Sequence, residues 1–297
     1  MPIFELAALG AALTWAITGI ISPAPAAHLG TIGFNRIRMS AMFVIIGTYV
    51  WFAGTWQTIP MDSMAEVMLS GLIGIFLGDT ALFATMNRLG PRRTAMLFSL
   101  NAPISAVLGY FFLAEVLETN EILGICIVTA GVILAIMFGK RRGQLHKWES
   151  VKCPLWIGVL TGLLAATGQS VGSLIASPIL SAGADPIAVS CVRIGIAAFF
   201  LQVLGAMPIA GLKIQNPLNI RIATLTVLSG IIGMGIGMTL VLFALSGGEV
   251  GIVSTLSSTV PALLLPILWF TTKERPAALA WVGALLVMIG SSLIFQA

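Results

Sequence analysis

Charge is what this 297-residue chain has least of: it carries 15 Lys and Arg and 11 Asp and Glu, and charged residues make up 9% of the total. Soluble domains carry roughly 25%, and no water-facing surface can be built from so few. Histidine occurs twice, at the distant positions His28 and His146, so no zinc site is expected. The three cysteines, Cys126, Cys153 and Cys191, show neither metal-ligand spacing nor a disulfide framework. No glycine loop follows a strand or carries the lysine of a P-loop, which argues against phosphate cradling and ATP as an energy source. The serines around 254–258 have no His or Asp at their depth, so no catalytic set is expected. No cofactor is implied. The net charge of +4 does not signal nucleic acid. No basic region opens the chain, which carries Glu5 instead, so a cleaved signal peptide is not expected despite Ala24-Pro25-Ala26.

What the chain does have is apolar length. Hydrophobic residues make up 58% and the mean hydropathy is +1.04. A spanning helix needs about 20 mainly apolar residues. Ten segments qualify: about 4–22, 35–54, 65–86, 94–114, 120–138, 155–176, 190–208, 222–245, 250–271 and 277–296. None alternates with period two as a barrel strand does. The longest polar stretch, 140–152, is basic and divides the chain near its middle.

The two halves repeat one another. At a shift of 155, Ser22-Pro23 falls on Ser177-Pro178 and Arg38 on Arg193. At a shift of 159, Leu69-Ser70-Gly71 falls on Leu228-Ser229-Gly230, Gly74 on Gly233, Gly78 on Gly237, Glu115 on Glu274, Gly124 on Gly283 and Gly131 on Gly290. The expected architecture is all-α and membrane-embedded. Its organisation is a repeat over 3–139, a linker over 140–152 and a second repeat over 153–296. Five helices per copy is an odd number, so the second copy enters the membrane inverted. Charge agrees: loop 3 holds Arg88, Arg92 and Arg93 while its counterpart holds no base. Loop 4 holds Glu115, Glu118 and Glu121 while its counterpart holds Lys273 and Arg275. Fourteen of the fifteen Lys and Arg lie on the side of the odd-numbered loops, Arg193 being the exception. The positive-inside rule then places odd loops in the cytoplasm of a plasma (bacterial inner) membrane and both termini outside.

The stretch Asn87-Arg88-Leu89-Gly90-Pro91-Arg92-Arg93-Thr94-Ala95, then Leu100-Asn101-Ala102-Pro103, Ala114-Glu115 and the glycines 124 and 131, resembles the drug/metabolite transporter superfamily in its ten-helix form with two EamA domains. Pro261, Glu274, Gly283 and Gly290 repeat the outline. The resemblance implies a carrier for amino acids and other metabolites, usually an exporter, or for nucleotide sugars or sugar phosphates. Relatives are often drawn with both termini in the cytoplasm, opposite to the charge count.

Asp79 is the sharpest candidate for function. It lies nine residues before Arg88, roughly 14 Å along a helix. A charge at the bilayer centre costs about 2.5–3.5 kcal/mol on insertion scales, so it must face protein or a watery cavity. Its repeat counterpart is Met238, and residues that break the repeat are better site candidates than residues that keep it. Asp79 is therefore expected to bind substrate or carry a coupling proton; the alternative is a carboxylate locked to a buried hydroxyl or arginine. Arg38 and Arg193, at the starts of their helices, are expected to snorkel to the interface.

Thr14 and Thr18 share one face of helix 1, as Gln169 and Ser173 share one face of helix 6. The two stripes, with Trp15, Asn101 and Ser258, are expected to line a central cavity, where inverted-repeat transporters bind substrate; interhelical hydrogen bonding is the competing use. Pro103 and Pro261 are expected to kink helices 4 and 9. A secondary transporter of a small polar or amphipathic solute follows. It is set against a membrane-embedded enzyme, which would need paired acids or histidines at one depth, and against a non-transporting subunit or sensor. The expected partners are a small-molecule substrate and the lipid bilayer, with room left for a homodimer.

Overall fold

The computed structural model describes residues 2–112, 119–138 and 154–295. The linker expected at 140–152 lies outside them, as do Glu115 and Glu118. The described residues form helices and short connections: α1 (Pro2–Ile21), a short helix Pro23–Leu29, α2 (Thr31–Ala53), α3 (Met61–Leu89), α4 (Pro91–Phe112), α5 (Thr119–Phe138), α6 (Leu155–Ser181), α7 (Pro186–Ala206), α8 (Ile220–Leu245), α9 (Val250–Thr272) and α10 (Ala278–Phe295). Among the described residues eight helices are long and apolar enough to cross a membrane, against the ten expected. The other two candidates, in α5 and α10, hold shorter apolar stretches, Ile122–Ala135 and Ala278–Leu293.

Burial runs opposite to that of a soluble protein. On α1 the small residues Ala8, Ala11, Ala12 and Ala16 are fully buried, while Leu6, Leu9 and Leu13 point outward. On α2 the outward side carries Phe43, Val44, Tyr49, Trp51 and Phe52. Lipid tails are as apolar as leucine, so helix association there depends on close packing of small residues rather than on hiding large ones. The chain turns sharply where the sequence allows it. Gly90, at φ +81°, separates α3 from α4, and Pro91 opens α4 at a position that needs no backbone donor. Asp185 caps α7 by accepting from the Ala188 N–H at 2.8 Å.

The halves interlock. α1 packs on α8 and α9, α2 on α7, α3 on α6 and α7, α4 on α9, and α5 on α10. Exchanging the halves turns α1·α8 into α6·α3, and both contacts occur. Helices related by the repeat run antiparallel where they meet. A Cβ on Gly131 would lie 2.8 Å from the Gly283 carbonyl oxygen, and one on Gly290 would lie 2.6 Å from that of Gly124. Advancing along α5 therefore means retreating along α10. On α2 and α7, Ser40 accepts from the Gln202 amide at 2.8 Å while Phe43 covers Gly195, again in antiparallel order.

Local irregularities repeat too. α3 is π-helical over Leu72–Leu77 and α8 over Ile231–Met238, in register at the 159 shift. Helix α4 is interrupted between Phe98 and Asn101, and α9 between Ser257 and Val260, again in register. Loop contacts come in matching pairs. The Gln215 N–H donates to the Leu29 carbonyl at 3.2 Å, and the Asp185 N–H donates to Thr58 Oγ1 at 2.9 Å.

A central cavity with a buried ion pair

Arg38 and Arg193 do not snorkel. Both helices begin a turn earlier than the sequence pattern indicates, at Thr31 and Pro186, so each arginine lies seven residues in, roughly 10 Å from the helix start. At that depth the side chains turn inward: Arg38 is 4% exposed and Arg193 is fully buried. That also explains why Arg193 is the exception to the charge bias.

Asp79, on the first turn after the π-helical stretch of α3, accepts from Arg38: Nη1 donates to Oδ2 at 2.8 Å. The same nitrogen lies 3.3 Å from Asn35 Oδ1, one turn back on α2. The guanidinium carbon is 4.8 Å from the centroid of the Phe83 ring and 5.9 Å from that of Phe34, so the cation is held between aromatic faces as well as by the carboxylate. Glycine lets the arginines in. A Cβ on Gly233 would fall 3.2 Å from Arg38 Nη2, and one on Gly74 would fall 2.9 Å from Arg193 Nη2. Each arginine thus packs against a glycine of the opposite half.

This pair lies on the wall of a cavity with about 70 Å³ of room for the centres of water-sized molecules, enough for several waters. Trp15, Thr18 and Ser22 of α1 and its end, Asp79, Phe83 and Met86 of α3, Thr94 and Phe98 of α4, and Gln169 of α6 contribute. Met234 and Met238 of α8 and Val260 and Leu264 of α9 complete an otherwise apolar lining. Ser22 and Met86 sit near the ends of their helices and Pro91 opens α4, so the cavity extends from Asp79 toward the odd-numbered loops.

Four of the eight expected site residues, Trp15, Thr18, Asp79 and Gln169, meet on this cavity. Trp15 Nε1 donates to the Gly233 carbonyl at 3.1 Å and its ring meets Phe98 edge-on at 5.7 Å. Thr14, Asn101, Ser173 and Ser258 lie elsewhere. Thr14 Oγ1 donates to the Ala11 carbonyl at 2.7 Å, and its side chain fills the space a Cβ on Gly237 would need. Ser173 lies 3.5 Å from the Gln169 amide. Ser258 donates to Asn101 Oδ1 at 2.8 Å, which ties the interruption of α9 to that of α4. Asn101 Nδ2 is buried with no partner among the described residues. Ser258→Ala is expected to strand the other end of that amide and lower stability by about 1–3 kcal/mol, measured by denaturant-driven unfolding in detergent micelles.

Sequence reasoning missed Arg38 as the partner of Asp79. The signal was present: the only acid deep in a candidate span needed a cation, and Arg38 is the arginine of the same half. Within the Asn87–Ala95 stretch, Pro91, Thr94 and Ala95 border the cavity while Asn87 and Arg92 tie helices together. Asn87 Nδ2 donates to the Ala26 carbonyl and to Thr31 Oγ1, both at 3.1 Å, and Arg92 Nη1 donates to the Ala135 carbonyl at 2.9 Å.

Comparison with known proteins agrees with this geometry. A solved crystal structure 16% identical in sequence superposes with a TM-score of 0.75 over 98% of this chain and 95% of its own, which establishes a shared fold. The uncharacterized transporter YoaV of Bacillus subtilis (strain 168) is 21% identical over 140 residues, 46% of this chain; the match spans about half the length of that curated relative, 48%. The model of the EamA-like transporter family matches residues 3–137 and again 156–296, each half separately. A multi-pass bundle with a cavity between two repeated halves, matched over both, makes the chain a member of the EamA-like transporter family.

Proposed function

We propose that the protein is a secondary transporter of a small polar or amphipathic metabolite such as an amino acid. It would work by alternating access between two inverted-topology halves of five helices each, in a plasma membrane with the odd-numbered loops cytoplasmic. The observation that carries this reading is the Arg38–Asp79 pair on the wall of a small apolar cavity between the halves. An ion pair in a lipid-embedded core is expensive, and one kept beside a cavity is suited to binding a zwitterion or to exchanging a proton. Support for inversion comes from the antiparallel packing of α5 on α10 and of α2 on α7, because repeat-related helices that run opposite ways must have entered the membrane opposite ways. Interrupted helices beside the cavity, α4 and α9, are the kind that form transporter binding sites.

A proton on Asp79 would remove its half of the ion pair, freeing Arg38. With export as the expected direction, the proton is taken up from outside and released to the cytoplasm in exchange for substrate, so transport coupled in this way is faster when the outside is acidified. The experiment is counterflow of labelled amino acids, polyamines, nucleosides and sugar phosphates in liposomes holding the purified protein. At least one solute should exchange in wild type, and Asp79→Asn should lose the pH dependence of that exchange. Exchange by Asp79→Asn that matches wild type at every pH would remove the coupling role, and product formation from an added solute would favour an enzyme.

A further inference from the structure

The repeat carries the Arg38–Asp79 pair onto Arg193 and Met238. The contact survives the exchange and the charge does not. Arg193 Nη1 donates to the thioether Sδ of Met238 at 3.8 Å, while Nε and Nη2 have no hydrogen-bond partner among the described residues. Among the described residues Arg193 makes no ion pair, and it is the largest side chain with no exposure at all. Asp79 acts on it electrostatically, yet the bonded oxygen of Asp79 belongs to Arg38. Two buried arginines thus share one carboxylate. A buried cation without hydrogen-bonded compensation is retained where something else supplies the counter-charge.

The cavity lies next to the one hydrogen-bond partner of Arg193 among the described residues: Met238 is on its wall and also contacts Arg193. Methionine is unbranched and rotates about three bonds, so a shift of Met238 opens a path from the cavity to Nη1. A guanidinium presents a planar fork that matches the two oxygens of a carboxylate. Beyond Arg193 the ligand meets Leu82, Phe83, Met234 and Leu264, which suit an apolar body. The exchange of halves adds a second line of support. It carries Thr18, Ser22, Ala95 and Phe98 of the open face onto Ser173, Ser177, Ser254 and Ser257, all buried, so the face that corresponds to the open one by the repeat is richer in hydroxyls at these positions.

We propose that Arg193 binds the carboxylate of a small amphipathic acid, with Met238 as its movable cover. This rests on the transport reading of the cavity and narrows it to carboxylates. The test uses the purified full-length protein and three matched probe pairs: leucine and leucinamide, phenylalanine and phenylalaninamide, hexanoate and hexanamide. At least one acid is expected to raise Tm by about 3 °C or more near saturation while its amide leaves Tm unchanged. Met238→Asp supplies the missing partner, so it should keep or raise basal Tm and abolish the acid-dependent shift. Arg193→Lys keeps the charge and loses the fork, and should weaken acid binding at least about tenfold; it decides the matter if Met238→Asp folds poorly. The proposal is overturned if acids and amides shift Tm alike, if no acid shifts wild type, or if the acid response survives in both variants. Counterflow separates the two readings. Exchange of neutral solutes without any acid leaves transport standing and removes the carboxylate site. Acid binding without exchange of any solute leaves the site standing and removes transport.

Discussion

Asp79→Ala, with Arg38 left in place, is expected to destabilise the protein by about 3–5 kcal/mol, because it leaves a guanidinium buried without its counter-ion. Arg38 cannot escape to water. It is 4% exposed, held between Phe34 and Phe83, and seven residues inside α2. The companion result is the double variant Arg38→Met/Asp79→Leu. Replacing a buried pair by apolar groups of similar volume is often neutral or stabilising by about 1–4 kcal/mol, so the double variant should fold at least as well as wild type. If it folds and no longer transports, the pair is there for function rather than for the scaffold. SDS-titration unfolding of wild type, Arg38→Met, Asp79→Leu and the double variant measures the coupling directly. Near-additive losses would mean that the 2.8 Å contact contributes little and that Asp79 is compensated by another group.

Gly71→Ala is expected to destabilise the protein as well, by a smaller amount. The added Cβ would meet Arg193 Cα at 2.6 Å and the Arg193 carbonyl oxygen at 2.7 Å. Both atoms are backbone, so no rotamer change relieves the contact, and α3 and α7 must move apart. Overpacking of this kind costs about 1–3 kcal/mol, and Gly71→Leu should exceed that range. Because the clash falls on the residue that packs against Gly74 and Gly172, ligand binding should weaken along with stability. Gly251 in α9 is the control: a Cβ there has nothing within 4 Å, so Gly251→Ala should lie within about 0.5 kcal/mol of wild type or gain slightly. Thermal unfolding followed by tryptophan fluorescence compares the three. Equal effects at positions 71 and 251 would mean that helix propensity, not contact, sets the outcome.

Much of this is legible in the sequence. The repeat laid Gly124 on Gly283 and Gly131 on Gly290, and these glycines do meet across α5 and α10. The repeat also singled out Asp79, a charge deep in a span whose counterpart is the uncharged Met238. What stayed hidden has physical causes. The depth of Arg38 was misjudged because Asn35, Arg36 and Arg38 look like a helix end in sequence, while in the fold Asn35 is buried and the helix starts at Thr31. The polar stripes of α1 and α6 were expected to act as units. A helix face is wider than a cavity, however, so Thr18 and Gln169 reach it while Thr14 bonds its own backbone. The π-helical stretches left no mark in hydropathy, because one extra residue per turn does not change how apolar a segment is.

The interlocking of the halves has a consequence for how such a chain comes to exist. Every long helix of the first half has an extensive contact in the second: α1 with α8, α2 with α7, α3 with α6, α4 with α9 and α5 with α10. When the ribosome has made only the first half, the glycine face of α5 and the buried side of Arg38 against Gly233 have nothing to close on. The first half can form its internal contacts, such as Arg38 with Asp79, but much of its packing is completed only once the second half is made. A chain cut at the central linker should consequently behave as two fragments that are unstable apart and recover a native bundle only when produced together.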